Sequence, residues 1–141
     1  MAFIREQDQA AIRERLQAMT EPVRLAFFTQ QLECQFCRET GQLLEELAAL
    51  SPKLVLETHN FQIDKEKVAQ YGIDKIPATV VEGKKDYGVR FYGIPAGYEF
   101  ANLLEAILLV SRGDSGLSPE TRRTLAAITS PTRIEVFTTP T

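Results

Sequence analysis

Cysteine, histidine and tryptophan are scarce in this sequence. Its 141 residues contain two cysteines, one histidine and no tryptophan. A domain of this length buries enough apolar surface to fold without a disulfide or a metal as a cross-link. The two cysteines lie only three positions apart, at Cys34 and Cys37. This usage favours catalysis or metal binding over a structural disulfide framework.

Long apolar runs and a strong charge of one sign are also missing. The net charge is −3 and the basic residues are scattered, which argues against a nucleic-acid partner. No apolar run approaches the roughly 20 residues of a membrane span. Residues 1–18 are amphipathic and lack the apolar centre of a secretory signal. We therefore expect a single ordinary domain in the cytoplasm, with no nucleic-acid or membrane partner.

The chain is organised around one short motif, Cys34-Gln35-Phe36-Cys37. A strand-like apolar run, 23–28, precedes it and a helical pattern, 38–50, follows it. A helix N-terminus carries unpaired N–H groups and about half a positive charge, so it stabilises a thiolate there. A free cysteine titrates near ~8.5 and is only a few per cent thiolate at neutral pH. We therefore expect Cys34 to be the exposed attacking thiol and Cys37 the shielded thiol that resolves the mixed disulfide.

Apolar periodicity and turn residues predict the other elements. Gly72 suits a left-handed helix end, and Ser118-Pro119-Glu120 has the residues of a helix start. A sole histidine, His59, is expected at the surface in a polar loop. The predicted helices are 5–18, 38–50, 64–71, 98–111 and 118–128, and the predicted strands are 23–29, 53–58, 76–81, 89–92 and 133–138. Up to residue 111 this order predicts a parallel strand pair followed by an antiparallel pair.

These residues resemble the thioredoxin-fold family. There, a dithiol opens the helix after a central strand, and a cis-proline precedes the third strand; here these positions are Cys34–Cys37 and Ile76-Pro77. The extra N-terminal helix, the Cys-Gln-aromatic-Cys motif and the trailing helix and strand are similar to the first unit of the two-unit, glutaredoxin-like protein disulfide oxidoreductases. The flavoprotein subunit of alkyl hydroperoxide reductase has a similar tandem. The stretch 133–141 looks like the opening strand of a second unit.

The resemblance implies an α/β, thioredoxin-like fold with a mixed four-stranded sheet flanked by helices. Residues 1–112 would form the thioredoxin-like domain, and 113–141 a linker helix and strand. The implied activity is thiol–disulfide exchange on protein disulfides, without a bound cofactor and with glutathione as a candidate co-substrate. Implied partners are a flavoprotein reductase or a peroxiredoxin. Substrate would contact Gln35, Phe36, Ile76 and Pro77, with the backbone beside the proline pairing to an extended segment.

The sequence departs from thioredoxins at two places. Glu33 stands where thioredoxins have a tryptophan before the first cysteine, and the strand before the motif contains no acidic residue for proton transfer. Other functions stay open at this point. The cysteines could contribute to a zinc site completed by His59 and a carboxylate or a second chain, or to an iron–sulfur cluster between two chains. The unit could also be a non-catalytic scaffold that dimerises through its C-terminal strand.

Overall fold

The structure is a computed structural model, and it describes residues 1–139. Five helices and four strands form within these residues. The sheet has the order β2-β1-β3-β4, with β1 parallel to β2 and antiparallel to β3, and β3 antiparallel to β4. The elements are α1 (Glu6–Leu16), β1 (Val23–Thr29), α2 (Cys37–Ala48), β2 (Leu54–Asn60), α3 (Lys65–Tyr71), β3 (Ala78–Glu82), β4 (Val89–Tyr92), α4 (Tyr98–Arg112) and α5 (Pro119–Ala126).

The central strand β1 divides the core into two clusters because neighbouring side chains point to opposite faces of the sheet. Phe27 lies in the larger cluster, with Leu44 of α2 and Ile107 of α4. Phe28 lies in the smaller cluster, with Tyr71 of α3. Burial on both faces explains why β1 reads as a nearly continuous apolar run. The parallel and antiparallel pairs predicted from the element order are confirmed.

The structure confirms two predicted helix boundaries, the end of α3 and the start of α5. Gly72 ends α3 in the left-handed conformation, with φ of 65°. Ser118 caps α5, and its hydroxyl oxygen accepts a hydrogen bond from the Thr121 N–H at 3.1 Å. None of the residues of α5 is buried, so this helix depends on its cap and its propensity and not on the core.

The expected surface position of His59 is wrong. His59 lies on β2 with 8% of its surface exposed, and its ring packs against Phe28 with centroids 5.1 Å apart. Its Nε2 lies 3.0 Å from Glu57 Oε1, a contact that becomes an ion pair when the imidazole is protonated but that has no hydrogen-bond geometry. The strand is longer than predicted, and it carries the histidine out of the loop.

The strand expected over 133–138 does not form among residues 1–139. A strand needs a partner for its backbone N–H and C=O groups, and no element of the described chain pairs with this segment. Ile134, Val136 and Phe137 are 82%, 79% and 90% exposed. The remaining residues of the predicted C-terminal segment, 140–141, lie outside the described part. The division at residue 112 stays a prediction. In residues 1–139, no helix combines the length and apolarity needed to cross a membrane.

Candidate active site around a dithiol

Three strands have an end at the same edge of the sheet, the edge that lies at the carboxyl end of β1. Because β1 and β2 are parallel, both of their carboxyl ends lie there, and the antiparallel β3 starts there. The register pairs Phe28 with His59 on one side and with Ala78 on the other. The loop after Thr29 and the proline before Ala78 therefore leave the sheet at the same edge. This edge carries the dithiol.

Cys34 and Cys37 form a disulfide, with their Cα atoms 5.5 Å apart. Cys34 lies in the loop before α2 and is half-buried, whereas Cys37 is the first residue of α2 and only 3% exposed. A thiol or thiolate in solvent can therefore reach the sulfur of Cys34 more readily than that of Cys37. The difference in exposure agrees with the expected order of attack and resolution.

A single carbonyl oxygen, that of Phe36, accepts two hydrogen bonds from the first turn of α2. The Phe36 carbonyl oxygen accepts the Thr40 N–H at 3.0 Å and the Thr40 hydroxyl at 2.6 Å. Phe36 is the residue that precedes the helix and is 44% exposed, and Gln35 is exposed beside it. The disulfide joins Cys34 to the first residue of the helix, so both sulfur atoms lie at its N-terminus, where partial positive charge stabilises a thiolate.

The peptide bond between Ile76 and Pro77 is cis, as expected. Pro77 is buried and its carbonyl oxygen accepts the Gly93 N–H at 2.9 Å, while Ile76 is half-buried. The pairing of β1 with β3 places this dipeptide at the dithiol edge. The cleft that touches the cysteines does not extend to it.

A cleft of about 540 Å³ opens beside the dithiol on the side of β2 and α3. It is lined mainly by polar side chains. The lining residues are Thr29, Gln30, Gln31, Cys34, Cys37, Arg38, Thr58, Asn60 and Asp64. Sequence reasoning missed the contribution of Thr58, Asn60 and Asp64. The signal for it was available, because the residues at and after the carboxyl ends of two adjacent parallel strands share one edge.

Asp64 immediately precedes α3, which begins one residue later than predicted, but the Asp64 side chain makes no capping hydrogen bond to that helix. Its carboxylate accepts the Asn60 N–H at 2.6 Å and closes the loop between β2 and α3. Asn60 and Asp64 both line the cleft, so this hydrogen bond holds part of its wall in place.

The described residues bring no group of three or more histidine, cysteine or acidic side chains together as metal ligands. His59 pairs with Phe28 and shares its face of the sheet, whereas Phe27 faces α2. The histidine that a zinc site would need is therefore on the opposite face of the sheet from the helix that holds Cys37. Within the described chain, the structure supports dithiol chemistry at this edge.

Comparisons with known proteins agree with this geometry. No family model and no curated protein matches the sequence. Among solved structures, the chain is similar to a protein disulfide oxidoreductase from Aeropyrum pernix K1, with 27% identity and a TM-score of 0.79 over 90% of this chain. It is also similar to the alkylhydroperoxide reductase component AhpF of Enterococcus faecalis, with 26% identity and a TM-score of 0.75 over 89% of this chain.

This chain spans only part of both similar structures, 56% of the first and 61% of the second. A thioredoxin from Halobacterium salinarum matches 70% of the chain with a TM-score of 0.53 and 19% identity, a likeness that shows the fold alone. The chain therefore has a thioredoxin-like fold, and it is similar to the protein disulfide oxidoreductase and to AhpF.

Proposed function

We propose that the protein is a thiol–disulfide oxidoreductase that acts on protein disulfides. In the reduced protein, the Cys34 thiolate attacks one sulfur of a substrate disulfide, forms a mixed disulfide and releases the other sulfur as a thiolate. Cys37 then attacks Cys34, which releases the second substrate thiolate and leaves the Cys34–Cys37 disulfide. The substrate gains two electrons and the dithiol loses two.

The observation that carries this proposal is the unequal burial of two bonded cysteines at a helix N-terminus. Cys34 is half-buried and Cys37 is 3% exposed. A structural disulfide in a domain with this core would have little to stabilise, since sixteen buried apolar residues already form the main cluster. The partial positive charge of the helix terminus instead favours the thiolate form that exchange requires.

Four residues are proposed to contact the substrate. Gln35 and Phe36 stand exposed between the cysteines, so a partner that reaches Cys34 must also touch them. Ile76 and Pro77 share the dithiol edge, and their backbone is proposed to pair with an extended substrate segment. Glutathione is a smaller candidate for the same surface.

The test uses the two serine variants in an insulin-reduction assay with dithiothreitol as the electron donor. We expect Cys34→Ser to abolish the catalysed rate because no thiol remains to attack the substrate. We expect reduced Cys37→Ser, freed of dithiothreitol before insulin is added, to accumulate a mixed disulfide, because resolution by the neighbouring thiol is lost. Insulin reduction by Cys34→Ser at the wild-type rate would overturn the assignment of Cys34 as the nucleophile.

The direction of physiological exchange depends on the redox midpoint. We propose that the exchange takes place in the cytoplasm, with a flavoprotein reductase, glutathione or a peroxiredoxin as candidate exchange partners. The check is equilibration with a glutathione or dithiothreitol buffer followed by counting of free thiols. A midpoint of about −250 mV or lower would indicate a reductase, and one of about −180 mV or higher would indicate an isomerase or oxidant.

A second candidate function is an interaction unit. It is favoured by the exposed apolar side chains of residues 113–139, which we call the C-terminal arm; Ile134, Val136 and Phe137 are its most exposed members. Exposed apolar surface of this kind marks association sites. If the arm mediates dimerisation, deletion of residues 132–141 converts a dimer to a monomer in size-exclusion chromatography with light scattering. A monomer before and after deletion would exclude this role.

A further inference from the structure

Thr79 carries a polar group that the fold leaves without a partner. Its side chain is 0% exposed, and its hydroxyl oxygen has no hydrogen-bond partner among residues 1–139. Burial of an unpaired hydroxyl is unfavourable, so such groups are rare and require an explanation. The other buried threonine, Thr40, is also 0% exposed, but its hydroxyl donates to the Phe36 carbonyl oxygen at 2.6 Å.

Strand pairing places Thr79 on the face of the sheet that α2 covers. Thr79 is the direct partner of Phe27 in the antiparallel register, and directly paired residues project to the same face. A Cβ built on Gly41 would lie 3.3 Å from the Phe27 ring, so the first turns of α2 sit on this part of the sheet. Cys37 and Gly41 are four residues apart and therefore share one side of α2.

Cys37 is buried at the start of the same helix, with 3% of its surface exposed. When an external thiolate attacks the Cys34 sulfur, the disulfide bond breaks and its electron pair goes to the Cys37 sulfur. A negative charge then appears in a site from which water is largely excluded. A buried anion is strongly unfavourable unless a hydrogen-bond donor faces it.

We propose that the Thr79 hydroxyl, unpaired while the disulfide is closed, donates a hydrogen bond to the Cys37 sulfur when the disulfide opens. No proton is transferred from the hydroxyl. Thr79 stabilises the leaving thiolate, and in the reverse reaction it holds that thiolate ready to attack the mixed disulfide. This inference rests on the proposed thiol–disulfide exchange and adds a third residue to the two cysteines.

The two buried threonines offer a matched comparison, because threonine and valine have nearly the same shape. Thr79→Val removes a donor that acts only in the reduced protein. Thr40→Val removes a hydrogen bond that holds the start of α2 in both redox forms. Thr79→Ser keeps the hydroxyl at the proposed position and serves as the rescue variant.

The experiment equilibrates each variant with oxidised and reduced dithiothreitol at pH 7 and pH 9.5, and measures the fraction of Cys34–Cys37 disulfide. We expect Thr79→Val to favour the disulfide by about tenfold at pH 9.5, the size of one hydrogen bond to a charged group. The change in the disulfide equilibrium should be smaller at pH 7, because a smaller fraction of the Cys37 thiol is ionised there. Thr79→Ser and Thr40→Val should stay within about twofold of the wild type.

Thermal unfolding of each redox form supplies the second readout. Thr79→Val should leave the oxidised protein at least as stable as the wild type, because it removes a buried hydroxyl that has no partner there, and it should weaken only the reduced protein. Equal weakening of both forms, or an unchanged disulfide equilibrium at pH 9.5, would overturn the inference. Thr79→Ala provides the same comparison if the valine variant does not fold. Failure of the wild-type cysteines to close a disulfide at all would refute the proposed function itself.

Discussion

Residues 1–112, which we call the body, and the C-terminal arm, residues 113–139, both contain helices with good sequence signals, yet the core clusters of the described chain lie in the body. Leu103, Leu104 and Ile107 of α4 are buried, whereas α5 buries none of its residues. The cap of α5 is the better one, because Ser118 makes a side-chain hydrogen bond that no residue makes at the start of α4. Local signals therefore define where a helix begins, and tertiary burial determines how much that helix contributes to stability.

The largest difference between the two regions should appear on truncation of a leucine. Leu44 is 0% exposed in α2 and Leu125 is 47% exposed in α5. Leu44→Ala should lower the free energy of unfolding by about 3 kcal/mol, since it leaves a cavity in the main cluster. Leu125→Ala should change it by less than about 0.5 kcal/mol. Urea unfolding followed by far-UV circular dichroism measures both, and comparable losses would contradict the distinction between body and arm.

The second-largest difference in stability between the two regions should come from replacing a glycine by alanine. A Cβ on Gly83 would lie 2.8 Å from the Val110 carbonyl oxygen and 2.9 Å from the Val110 Cγ1. Gly83→Ala should therefore force α4 away from β3 and destabilise the body by about 1–3 kcal/mol. Gly116 in the arm has φ of 73° but no atom within 4 Å of its added Cβ.

The comparison variant Gly116→Ala should strain only the turn that contains residue 116. The melting temperature of the body should therefore stay unchanged. Thermal unfolding of the two alanine variants separates these outcomes. A Gly83→Ala protein that melts with the wild type would mean that β3 and α4 are not held together as tightly as the structure shows.

Removal of the Ser118 cap should lower the stability of α5 and not that of the body. Ser118→Ala loses the hydrogen bond to the Thr121 N–H and should weaken α5 by about 1 kcal/mol. The body should unfold as before because α5 buries nothing. Amide hydrogen exchange over residues 119–126 measures the local effect. A fall in the stability of the body would show that α5 contributes to the fold of the body.

The smallest expected effect concerns pH. The Arg90 guanidinium donates to the Asp86 carboxylate at 2.8 and 2.6 Å, which lowers the pKa of that carboxyl below its ordinary value of 3.8. A lowered carboxyl pKa stabilises the fold above the ordinary value, and this contribution is lost as the pH falls below it. Both side chains are partly exposed, so the gain is below about 1 kcal/mol.

Asp86→Asn should therefore lower the melting temperature slightly at pH 7 and reduce its fall between pH 5 and pH 3. Asp114→Asn in the arm removes a comparable contact with Arg122 and should leave the melting of the body unchanged. An acid profile of Asp86→Asn that parallels the wild type would show that this ion pair does not contribute to stability.

Much of the fold could be predicted because local pattern and tertiary structure agree in the body. The apolar run of β1 and the leucine stripe of α2 each match a buried surface. The segment 133–138 shows the opposite case: its strand propensity is high, but no described residue supplies the partner backbone that a strand requires. The prediction of a loop position for His59 failed for a related reason. A polar residue near the end of a strand is easily assigned to the following loop unless the length of the partner strand is known.

The candidate site was predictable to the extent that its residues are close in sequence. Cys34 and Cys37 are found from their spacing, and the helix that begins at Cys37 follows from the leucine pattern. Thr79 and Asn60 join the site only through strand register, which a single sequence does not reveal. The unpaired hydroxyl of Thr79 could be recognised only with the surrounding atoms in place.

The central claim is that Cys34 attacks and Cys37 is shielded. The most direct test is a brief pulse of iodoacetamide on the reduced protein at pH 7, followed by digestion and mass spectrometry of the two cysteine positions. We predict that Cys34 is alkylated first, and that Cys37 reacts at a comparable rate only after denaturation. Alkylation of Cys37 first, or of both cysteines equally in the folded protein, would contradict this claim.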